Sequence, residues 1–443
     1  MIDFLFISTF FFSLLSFFIL FRISSVNLFS IDLISISFIA LIVFSFIGTY
    51  PLYFYWDSFR VAIGITDKLL ITKVMLLSSL NIIFFMFGVI FFKQVIKVIN
   101  NSQKFSLKIR QQITPAALKI NNSQVLFLLL LFIVCLLTLY IYINKIDKLA
   151  IVAAFIDGYG ASKEYRSEMG ANLKGYHWFK LIMYQLGNFL CFCFYALYKK
   201  YNTLIYRVLF IISFTYSVFI AVMATEKAPL VYLVIGLFFT HILIFKNGLL
   251  DKNRILGVIS LLLIVLITFY IIFMGATSPV DALTAVFSRA FTGSIAPAYF
   301  YLQFFPEIHD YVPMATWPNP GRLLPVESFR YTVEVANWKF PDLELKGVVG
   351  SMPTVFWGEA YANFGVVGVP LIAFVMGIYI TVVNAYFKGR LNTVVNVAGY
   401  VWVILFFKDI SITGFSHFII SVYFIFFIIM MSLFNLISKR FNF

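Results

Sequence analysis

Three stretches of the chain place basic side chains beside carboxylates and aromatic rings, at the edges of long apolar runs. These are residues 157–176 with Arg166, residues 222–233 with Glu226 and Lys227, and residues 277–294 with Arg289. A guanidinium group can grip a phosphate through two parallel hydrogen bonds, and a lysine at a helix N-terminus forms an anion site. We therefore expect the basic side chains, Arg166, Lys227 and Arg289, to bind a phosphate or diphosphate. The alternative for each is a solvated charge at a membrane surface.

Two of these stretches carry signals for the start of a helix. Ser278 followed by Pro279 is a typical helix start, and it places Arg289 on the side of that helix away from its apolar stripe. In the other stretch, Thr225 is a candidate cap for the next helix, with Pro229 in the first turn. The first pattern predicts that Arg289 can reach into a polar cavity, and the second predicts an anion site at the helix start, to which Lys227 adds its charge.

A further candidate is the stretch 350–380, in which Glu359 lies between Trp357 and Tyr361 shortly before an apolar run. A carboxylate can take the proton from an attacking hydroxyl group. Aromatic rings at this depth either stack on sugars or anchor a helix at the membrane interface. Two roles are therefore open for Glu359, a general base for transfer or a structural hydrogen-bond partner.

Two more pairs of residues complete the candidate site. Arg322 and Arg330 lie in the stretch 318–334, flanked by tryptophans that could stack on sugar faces. Lys408 and Asp409 follow one another at the end of an apolar run, where an interfacial ion pair is the alternative to a substrate contact.

The composition identifies a membrane protein. Of the 443 residues, 62% are hydrophobic and 12% charged, against roughly 25% charged in a soluble domain. The apolar runs are about 20 residues long, which fits helices rather than strands of a barrel. Cys135, Cys191 and Cys193 all lie inside such runs, so we interpret them as core side chains and predict no disulfide framework and no metal site.

Hydropathy predicts an all-α polytopic protein with about eleven spans, in a single integral membrane domain over residues 1–443. The predicted spans lie near 3–21, 29–49, 72–92, 125–144, 178–198, 205–224, 229–245, 255–274, 364–386, 394–408 and 416–437. The first run lacks a basic start and a cleavage site, so we expect it to be retained as a helix. A long outer loop, residues 275–363, is predicted to contain short helices and part of the active site.

Charge predicts the orientation. With the C-terminus in the cytoplasm, alternate loops on that side hold 17 of the 33 lysines and arginines, in short segments that contain few acids. The N-terminus and the loop 275–363 then lie outside. The net charge of +14 is thus mostly a topological signal, and we expect membrane lipid rather than nucleic acid as its partner.

Several kinds of chemistry lack their signatures in this sequence. We find no phosphate-binding glycine loop, no HExxH motif and no clustered histidines, and the cytoplasmic side has almost no carboxylates. We therefore expect an outward-facing site that uses no nucleotide, no metal and no cofactor. Basic residues, carboxylates and aromatic rings on one side are suited to a glycan linked to a polyprenyl diphosphate, whose phosphates supply both the anchor and the leaving group.

Two segments resemble the Wzy-type O-antigen and capsule repeat-unit polymerases. They are "FSRAFTGSIAPAYFYLQFFPE", which begins at Phe287, and "PTVFWGEAYANFGVVGVPLIAFVMGI", which begins at Pro353. The charged turn "ATEKAPL" resembles one that precedes a mid-chain span in the same group. The resemblance implies a membrane glycosyltransferase fold of the C type, and it implies that outer-loop arginines, here Arg166 and Arg289, are essential.

The activity that the resemblance implies is polymerisation of undecaprenyl-diphosphate-linked repeat units at the outer leaflet of a bacterial cytoplasmic membrane. Donor and acceptor would both be lipid-linked, and a chain-length regulator and a flippase would be partners. Two alternatives stay open. A flippase for lipid-linked oligosaccharides would carry charges inside its spans, and a glycan ligase would use the same chemistry on another acceptor.

Overall fold

The computed structural model describes residues 2–101, 120–170, 173, 175–319, 325–342 and 350–440. Within these residues, eleven helices are long and apolar enough to cross a membrane, and no β-strand is formed beyond an isolated bridge. In chain order these spans are Asp3–Ser24, Leu33–Tyr53, Lys68–Ile99, Asn122–Ile143, Tyr176–Tyr201, Leu204–Val222, Lys227–Phe245, Lys252–Met274, Phe356–Lys388, Val394–Ser411 and Ser416–Ile437. The prediction of an all-α polytopic membrane protein is confirmed.

Shorter helices lie in the connections between spans. They are Ser58–Ala62, Ala150–Ile156, Tyr159–Met169, Pro279–Phe287, Gly293–Phe304 and Tyr331–Lys339. Wider, π-helical turns interrupt the regular helices at Ile42–Ile47, Lys180–Leu186 and Ser288–Thr292. Such turns displace the side chains that follow them, and they occur often at functional sites.

The helix that contains the ninth span begins at Phe356, before the predicted span of 364–386. Its first part, residues 356–364, is separated from the rest by non-helical backbone angles at Gly365, which lies next to the predicted boundary of the large loop at residue 363. A hydropathy profile does not show this first part, because it counts the polar residues Glu359 and Asn363 as hydrated. In the fold their side chains are hydrogen-bonded to Thr316 and Met314 instead. The helix bends at Gly365, whose positive φ of 63° favours glycine.

The third and ninth spans pack closely at the centre of the bundle. A Cβ atom on Gly88 would lie 2.1 Å from the carbonyl oxygen of Phe374, and one on Gly377 would lie 2.1 Å from that of Phe85. Small residues at such positions let two membrane helices approach backbone to backbone. Gly88 and Gly377 therefore allow the close contact between the third and ninth spans, because neither has a side chain at the contact.

Burial separates core spans from lipid-facing spans. In the tenth span, 89% of the apolar window is buried, whereas in the eighth span only 6% is buried. The tenth span thus lies inside the bundle, and the eighth span faces lipid on most sides. The cysteines Cys135, Cys191 and Cys193 are unpaired and buried, as predicted.

The connections that follow the even-numbered spans meet at one end of the bundle, which we call the large-loop end. The backbone N–H of Ile151 donates to the carbonyl of Met223 at 3.1 Å, which joins the connections after the fourth and sixth spans. Arg60, after the second span, and Arg289, after the eighth, both contact Gly293. These contacts bring four predicted outer segments together.

The opposite end is joined by a separate network. The carbonyl of Gly248 accepts from the backbone N–H of Ile31 at 2.7 Å, and Lys388 forms an ion pair of 2.6 Å with the buried Asp32. Asn384 also donates to Asp32, and it accepts from the hydroxyl of Tyr400 at 2.6 Å. This network ties together connections after the first, seventh and ninth spans.

Candidate functional site

Asp57 fastens the second span to the segment that carries Arg289. Its carboxylate accepts hydrogen bonds of 2.5 Å from the hydroxyls of Ser288 and Thr292, and it also caps the short helix that begins at Ser58. Burial alone would raise the pKa of Asp57, but these hydrogen bonds outweigh it and hold the pKa below its ordinary value. Asp57 is therefore an ionised anchor for the π-helical turn.

Two arginines meet at this anchor. An added Cβ on Gly293 would lie 3.1 Å from the Nη2 atom of Arg60 and 3.3 Å from the Cδ atom of Arg289. The Arg60 side chain is only 12% exposed, and its Nε atom lies 3.7 Å from Asp57 and has no hydrogen-bond partner among the described residues. Arg289 is exposed. The two guanidinium groups are close enough for their charges to interact.

The close approach at Gly48 sets the position of Arg289. A Cβ on Gly48 would lie 2.0 Å from the carbonyl oxygen of Phe291, so the second span contacts the π-helical turn directly. The predicted start of the preceding helix is confirmed, since Ser278 accepts from the backbone N–H of Asp281 at 3.1 Å. Both ends of the segment that carries Arg289 are thereby held.

Lys227 and Arg166 extend this positive charge. Lys227, at the start of the seventh span, lies within electrostatic reach of both Arg289 and Arg166. Its Nζ atom also lies 3.7 Å from the ring centroid of Tyr270, a cation–π contact. We call Arg60, Arg166, Lys227 and Arg289 the cationic cluster. The structure thus brings together the three basic residues that the sequence singled out, and adds Arg60.

A polar cavity lies beside the cationic cluster, between the fifth, seventh, tenth and eleventh spans. Its volume is about 350 Å³. The side chains that line it include Tyr176, Lys180, Tyr184, Gln185, Asn188, Glu226, Tyr232, Trp402, Phe406, Asp409, His417 and Tyr423. The cavity is therefore faced by two carboxylates (Glu226 and Asp409), by Lys180 and His417, and by several aromatic rings. Its volume is within the range that is usual for small-ligand sites.

Glu226 and Lys227 connect the cavity to the cationic cluster. Glu226 is exposed and lines the cavity, while the next residue, Lys227, belongs to the cluster. The proposed cap is wrong, because the residue that precedes the helix is Glu226 and not Thr225. Thr225 has a positive φ of 51°, and its hydroxyl pairs with that of Ser162 at 3.3 Å instead.

Asp409 is held in the wall of the cavity by two neighbours. Lys408 donates to its carboxylate, and the hydroxyl of Tyr232 donates to the same oxygen at 3.1 Å. The Nζ atom of Lys408 also lies 3.6 Å from the ring centroid of Tyr232. The predicted ion pair at the end of the tenth span is present, and it contributes one side chain, Asp409, to the cavity lining.

A second, mostly apolar cavity of about 340 Å³ adjoins the polar one. His417 and Tyr423 line both spaces, and Trp178, which is 62% exposed, lines only the second. The polar cavity is thus continued toward the outer surface of the bundle between the fifth and eleventh spans.

Glu359 lies apart from both cavity linings and is fully buried. Its carboxylate accepts from the hydroxyl of Thr316 at 2.7 Å and from the backbone N–H of Ser416 at 2.9 Å. Asn363, one turn later, donates to Thr316 and accepts from the backbone N–H of Met314 at 2.8 Å. These bonds join the large loop, the ninth span and the start of the eleventh span.

The aromatic neighbours of Glu359 are also buried. The indole N–H of Trp357 donates to Ser78 at 3.2 Å, and the hydroxyl of Tyr361 donates to the carbonyl of Phe305 at 3.1 Å. Their rings serve packing within the bundle, and their polar atoms are paired with protein. The structure does not bring Trp357, Glu359 and Tyr361 into the polar cavity.

The remaining predicted residues lie elsewhere or outside the described part of the chain. Arg330 is exposed and immediately precedes the helix Tyr331–Lys339, and Arg322 lies outside the described residues. Among the residues that the structure describes, no group of three or more potential metal ligands is found.

Sequence reasoning missed Arg60, Lys180 and His417. Lys180 and His417 lie within the first five residues of the fifth and eleventh spans. Both spans begin at the large-loop end, so the sequence could have predicted that these two side chains lie at the same depth. Arg60 follows Asp57 by three residues, which is a helical spacing, but only the fold shows that Asp57 is engaged by the segment of Arg289.

Comparisons with models of protein families, with curated proteins and with solved structures find no match to this chain.

Proposed function

We propose that this protein transfers a glycan from a polyprenyl diphosphate to an acceptor hydroxyl group at the large-loop end, and that it polymerises lipid-linked repeat units. The observation that carries the proposal is the junction at Glu226 and Lys227, where a cluster of four cations adjoins a cavity with two carboxylates. Such a site offers a place for a diphosphate beside a place for a sugar.

The cationic cluster is suited to a diphosphate. Among the described ion pairs only Arg60, of its four members, has a carboxylate partner, and that carboxylate already accepts two hydroxyl hydrogen bonds. The cluster therefore retains an excess of positive charge at the large-loop end. Positive groups fixed where negative charge develops stabilise a departing diphosphate, and this is usually a large part of catalysis.

The transfer needs one bond to break and one to form. The bond between the anomeric carbon of the donor glycan and the diphosphate oxygen breaks, and the diphosphate leaves with the electron pair against the cations. The oxygen of the acceptor hydroxyl bonds to the same carbon, and its proton passes to a carboxylate of the cavity. Glu226 is the better base, because Asp409 is already engaged by Lys408 and Tyr232.

The rings of the cavity support a sugar as the occupant. Tyr176, Tyr232, Trp402 and Tyr423 surround polar groups in a space of about 350 Å³. Apolar walls with a few placed polar groups are usual in sites for small molecules. The assignment to polymerisation rather than ligation rests on the sequence resemblance, since both reactions share this geometry.

The test is an assay of the purified protein in nanodiscs with a synthetic lipid-linked repeat unit as donor and acceptor. We expect glycans of two or more repeat units, detected by mass spectrometry. Arg289→Ala and Arg166→Ala should each abolish product while Arg207→Ala, an exposed arginine at the opposite end, should not. Lysine at either position should restore activity only in part, because it lacks the paired guanidinium donors.

Three results would contradict the proposal. Product formation at the wild-type rate by both alanine variants would remove the diphosphate site. Transfer only to an acceptor without a lipid-linked repeat unit would make the protein a ligase, and movement of the unchanged substrate between leaflets would make it a transporter.

A further inference from the structure

A second polar space lies at the end of the bundle opposite the large loop, between the ninth, tenth and eleventh spans, and we call it the amide cavity. Its volume is about 460 Å³, within the range of about 300–1,000 Å³ that is usual for ligand sites. Tyr386 and Leu436 line it where two of the spans meet lipid, and they are 39% and 61% exposed. The rest of the lining is polar and consists of Arg390, Asn392, Thr393, Asn396, Ser432 and Asn435.

The connection between the ninth and tenth spans forms a fixed wall of the amide cavity. The side-chain amide of the buried Asn396 donates to the carbonyl of Arg390 at 2.8 Å and to the Oδ1 atom of Asn392 at 2.9 Å. The hydroxyl oxygen of Thr393 accepts from the backbone N–H of Asn396 at 3.1 Å and so caps the tenth span. Because these bonds order the wall in advance, a ligand loses less binding free energy to the ordering of the protein.

Arg390 supplies the charge of the amide cavity. Its guanidinium carbon lies 3.8 Å from the ring centroid of Tyr386, and its Nη1 atom donates to the carbonyl of Tyr386 at 2.8 Å. No ion pair of Arg390 is found among the described residues, and none of the described residues that line the cavity is an acid. A guanidinium group has five N–H donors, so Arg390 is oriented by Tyr386 and still keeps donors for an anion.

The eleventh span adds neutral hydrogen-bonding groups to the same cavity. The hydroxyl of Ser432 donates to the carbonyl of Ile428 at 2.8 Å, which leaves the Ser432 oxygen free to accept. No hydrogen bond of the Asn435 amide is found among the described residues, so this side chain offers both donors and an acceptor. Such groups beside one cation are suited to a ligand that carries hydroxyl groups next to a single negative charge.

We propose that the amide cavity binds the headgroup of an anionic phospholipid that carries hydroxyl groups, with its phosphodiester against Arg390. This site goes beyond the proposed function and does not depend on it. A phosphodiester has one negative charge, which matches the single arginine of the lining. Phospholipids with an ammonium headgroup fit less well, because none of the described lining residues offers a carboxylate to pair with the ammonium.

The position of the cavity favours a lipid over a soluble phosphate ester. Leu436 is exposed on the eleventh span, so acyl chains can lie along that span while the headgroup enters the cavity. The orientation predicted from charge places this end in the cytoplasm, on the side where the membrane carries its anionic lipids. A lipid bound there joins the ends of the ninth, tenth and eleventh spans.

The test compares two lipids that differ only in their headgroups. The purified protein in detergent is mixed with phosphatidylglycerol and phosphatidylethanolamine of identical acyl chains, and the bound lipids are measured by native mass spectrometry. We expect phosphatidylglycerol to bind about tenfold more tightly, because it keeps a charge-assisted hydrogen bond without adding a second cation. Arg390→Gln should remove this preference. Arg207→Gln, which changes an exposed arginine at the same end outside the cavity, should keep it.

A second pair of variants tests the cavity itself. Ser432→Trp fills the space with an indole and should weaken the binding of phosphatidylglycerol about tenfold. The matched control is Leu433→Trp, at the next position of the same span, which is 45% exposed and does not line the cavity. It should bind phosphatidylglycerol as the wild type does.

A further measurement uses the wild-type protein only. A phosphatidylglycerol with a diazirine at the start of an acyl chain should crosslink within residues 432–436. Crosslinks confined to other spans, or a preference for phosphatidylglycerol that is unchanged in both Arg390→Gln and Ser432→Trp, would overturn the proposal. Displacement of the lipid by an equal concentration of glycerol phosphate would also overturn it, because the cavity would then be a site for a soluble phosphate ester.

Discussion

The hydroxyl of Thr316 donates a hydrogen bond of 2.7 Å to the carboxylate of Glu359, and this contact ties the large loop to the ninth span. The other carboxylate oxygen accepts from the backbone N–H of Ser416 at 2.9 Å. No ion pair of Glu359 is found among the described residues. A buried acid with these partners acts as a clamp between three segments, and this geometry favours the structural role over the catalytic one.

The first prediction follows from this clamp. Glu359→Gln keeps one oxygen for the N–H of Ser416 and presents an amide to Thr316, so folded yield and glycan transfer should stay close to the wild type. Glu359→Ala leaves the buried N–H of Ser416 without an acceptor, at a cost of about 2 kcal/mol or more. Its melting temperature and folded yield, measured by size-exclusion chromatography in detergent, should fall.

The control for this prediction is Glu307→Ala, which removes an exposed carboxylate of the same loop and should change neither quantity. A Glu359→Gln variant that folds normally and has no turnover would reverse the interpretation and make Glu359 a catalytic group.

Asp57 supports a prediction about pH. Its pKa is held below the ordinary value of 3.8, so its ionised form stabilises the fold. This contribution is complete above pH 3.8 and is lost as the pH falls through the lower pKa of the folded state. Asp57→Asn should therefore melt at a lower temperature at pH 7, by about 3 °C, and the difference from the wild type should shrink below pH 3.8.

The measurement is thermal unfolding in detergent from pH 3 to pH 7, with Asp310→Asn as the control for loss of an exposed carboxylate at the same end. The control should follow the wild type at every pH. A difference between Asp57→Asn and the wild type that is the same at pH 3 and pH 7 would show that ionisation of Asp57 does not stabilise the fold.

Orientation gives a third prediction, which rests on the basic loops of one side. The native cysteines are buried, so one added cysteine reports its own location. In intact cells an impermeant maleimide should label Glu307→Cys at the large-loop end, and it should label Lys252→Cys at the opposite end only after the membrane is opened. The reverse pattern would place the candidate site in the cytoplasm and exclude an outward-facing transfer reaction.

Hydropathy predicted the eleven spans because each apolar run must satisfy its backbone hydrogen bonds within a helix. It placed the start of the ninth span at residue 364, next to the break at Gly365, and did not predict the helix over residues 356–364, because composition cannot show that Glu359 and Asn363 find partners in the folded protein. The short tenth span illustrates the same limit. Its burial shows that it is a core element, a property that depends on its neighbours and not on its own residues.

The candidate site was predictable in part. Arg166, Glu226, Lys227 and Arg289 stand out as charges at the ends of apolar runs, and the fold brings them to one end. Arg60 gains its place only through the close approach of separate segments, which sequence spacing does not encode. Charged residues at the ends of apolar runs look alike in the sequence, but the fold gives them two different roles. Some, such as Glu226, line the cavity, and others, such as Glu359, form hydrogen bonds that hold the bundle together.

The last prediction distinguishes the two carboxylates of the polar cavity. Asp409 is engaged by Lys408 and by the hydroxyl of Tyr232, so its lone pairs are partly used. Glu226 is exposed, and no ion pair of Glu226 is found among the described residues. A base must be free to accept the proton of the acceptor hydroxyl, and this favours Glu226.

We therefore expect Glu226→Gln to lower the turnover number about 100-fold, with a small change in donor affinity, because the amide cannot accept the proton. Asp409→Asn should act mainly through the cavity wall, raising the KM for the acceptor and leaving turnover at saturation within about tenfold. Both variants are compared in nanodiscs per folded molecule, with Glu164→Gln, an exposed acid on the helix of Arg166, as the control. If Asp409→Asn loses turnover at saturation and Glu226→Gln does not, the proton goes to Asp409 and the roles of the two residues are exchanged.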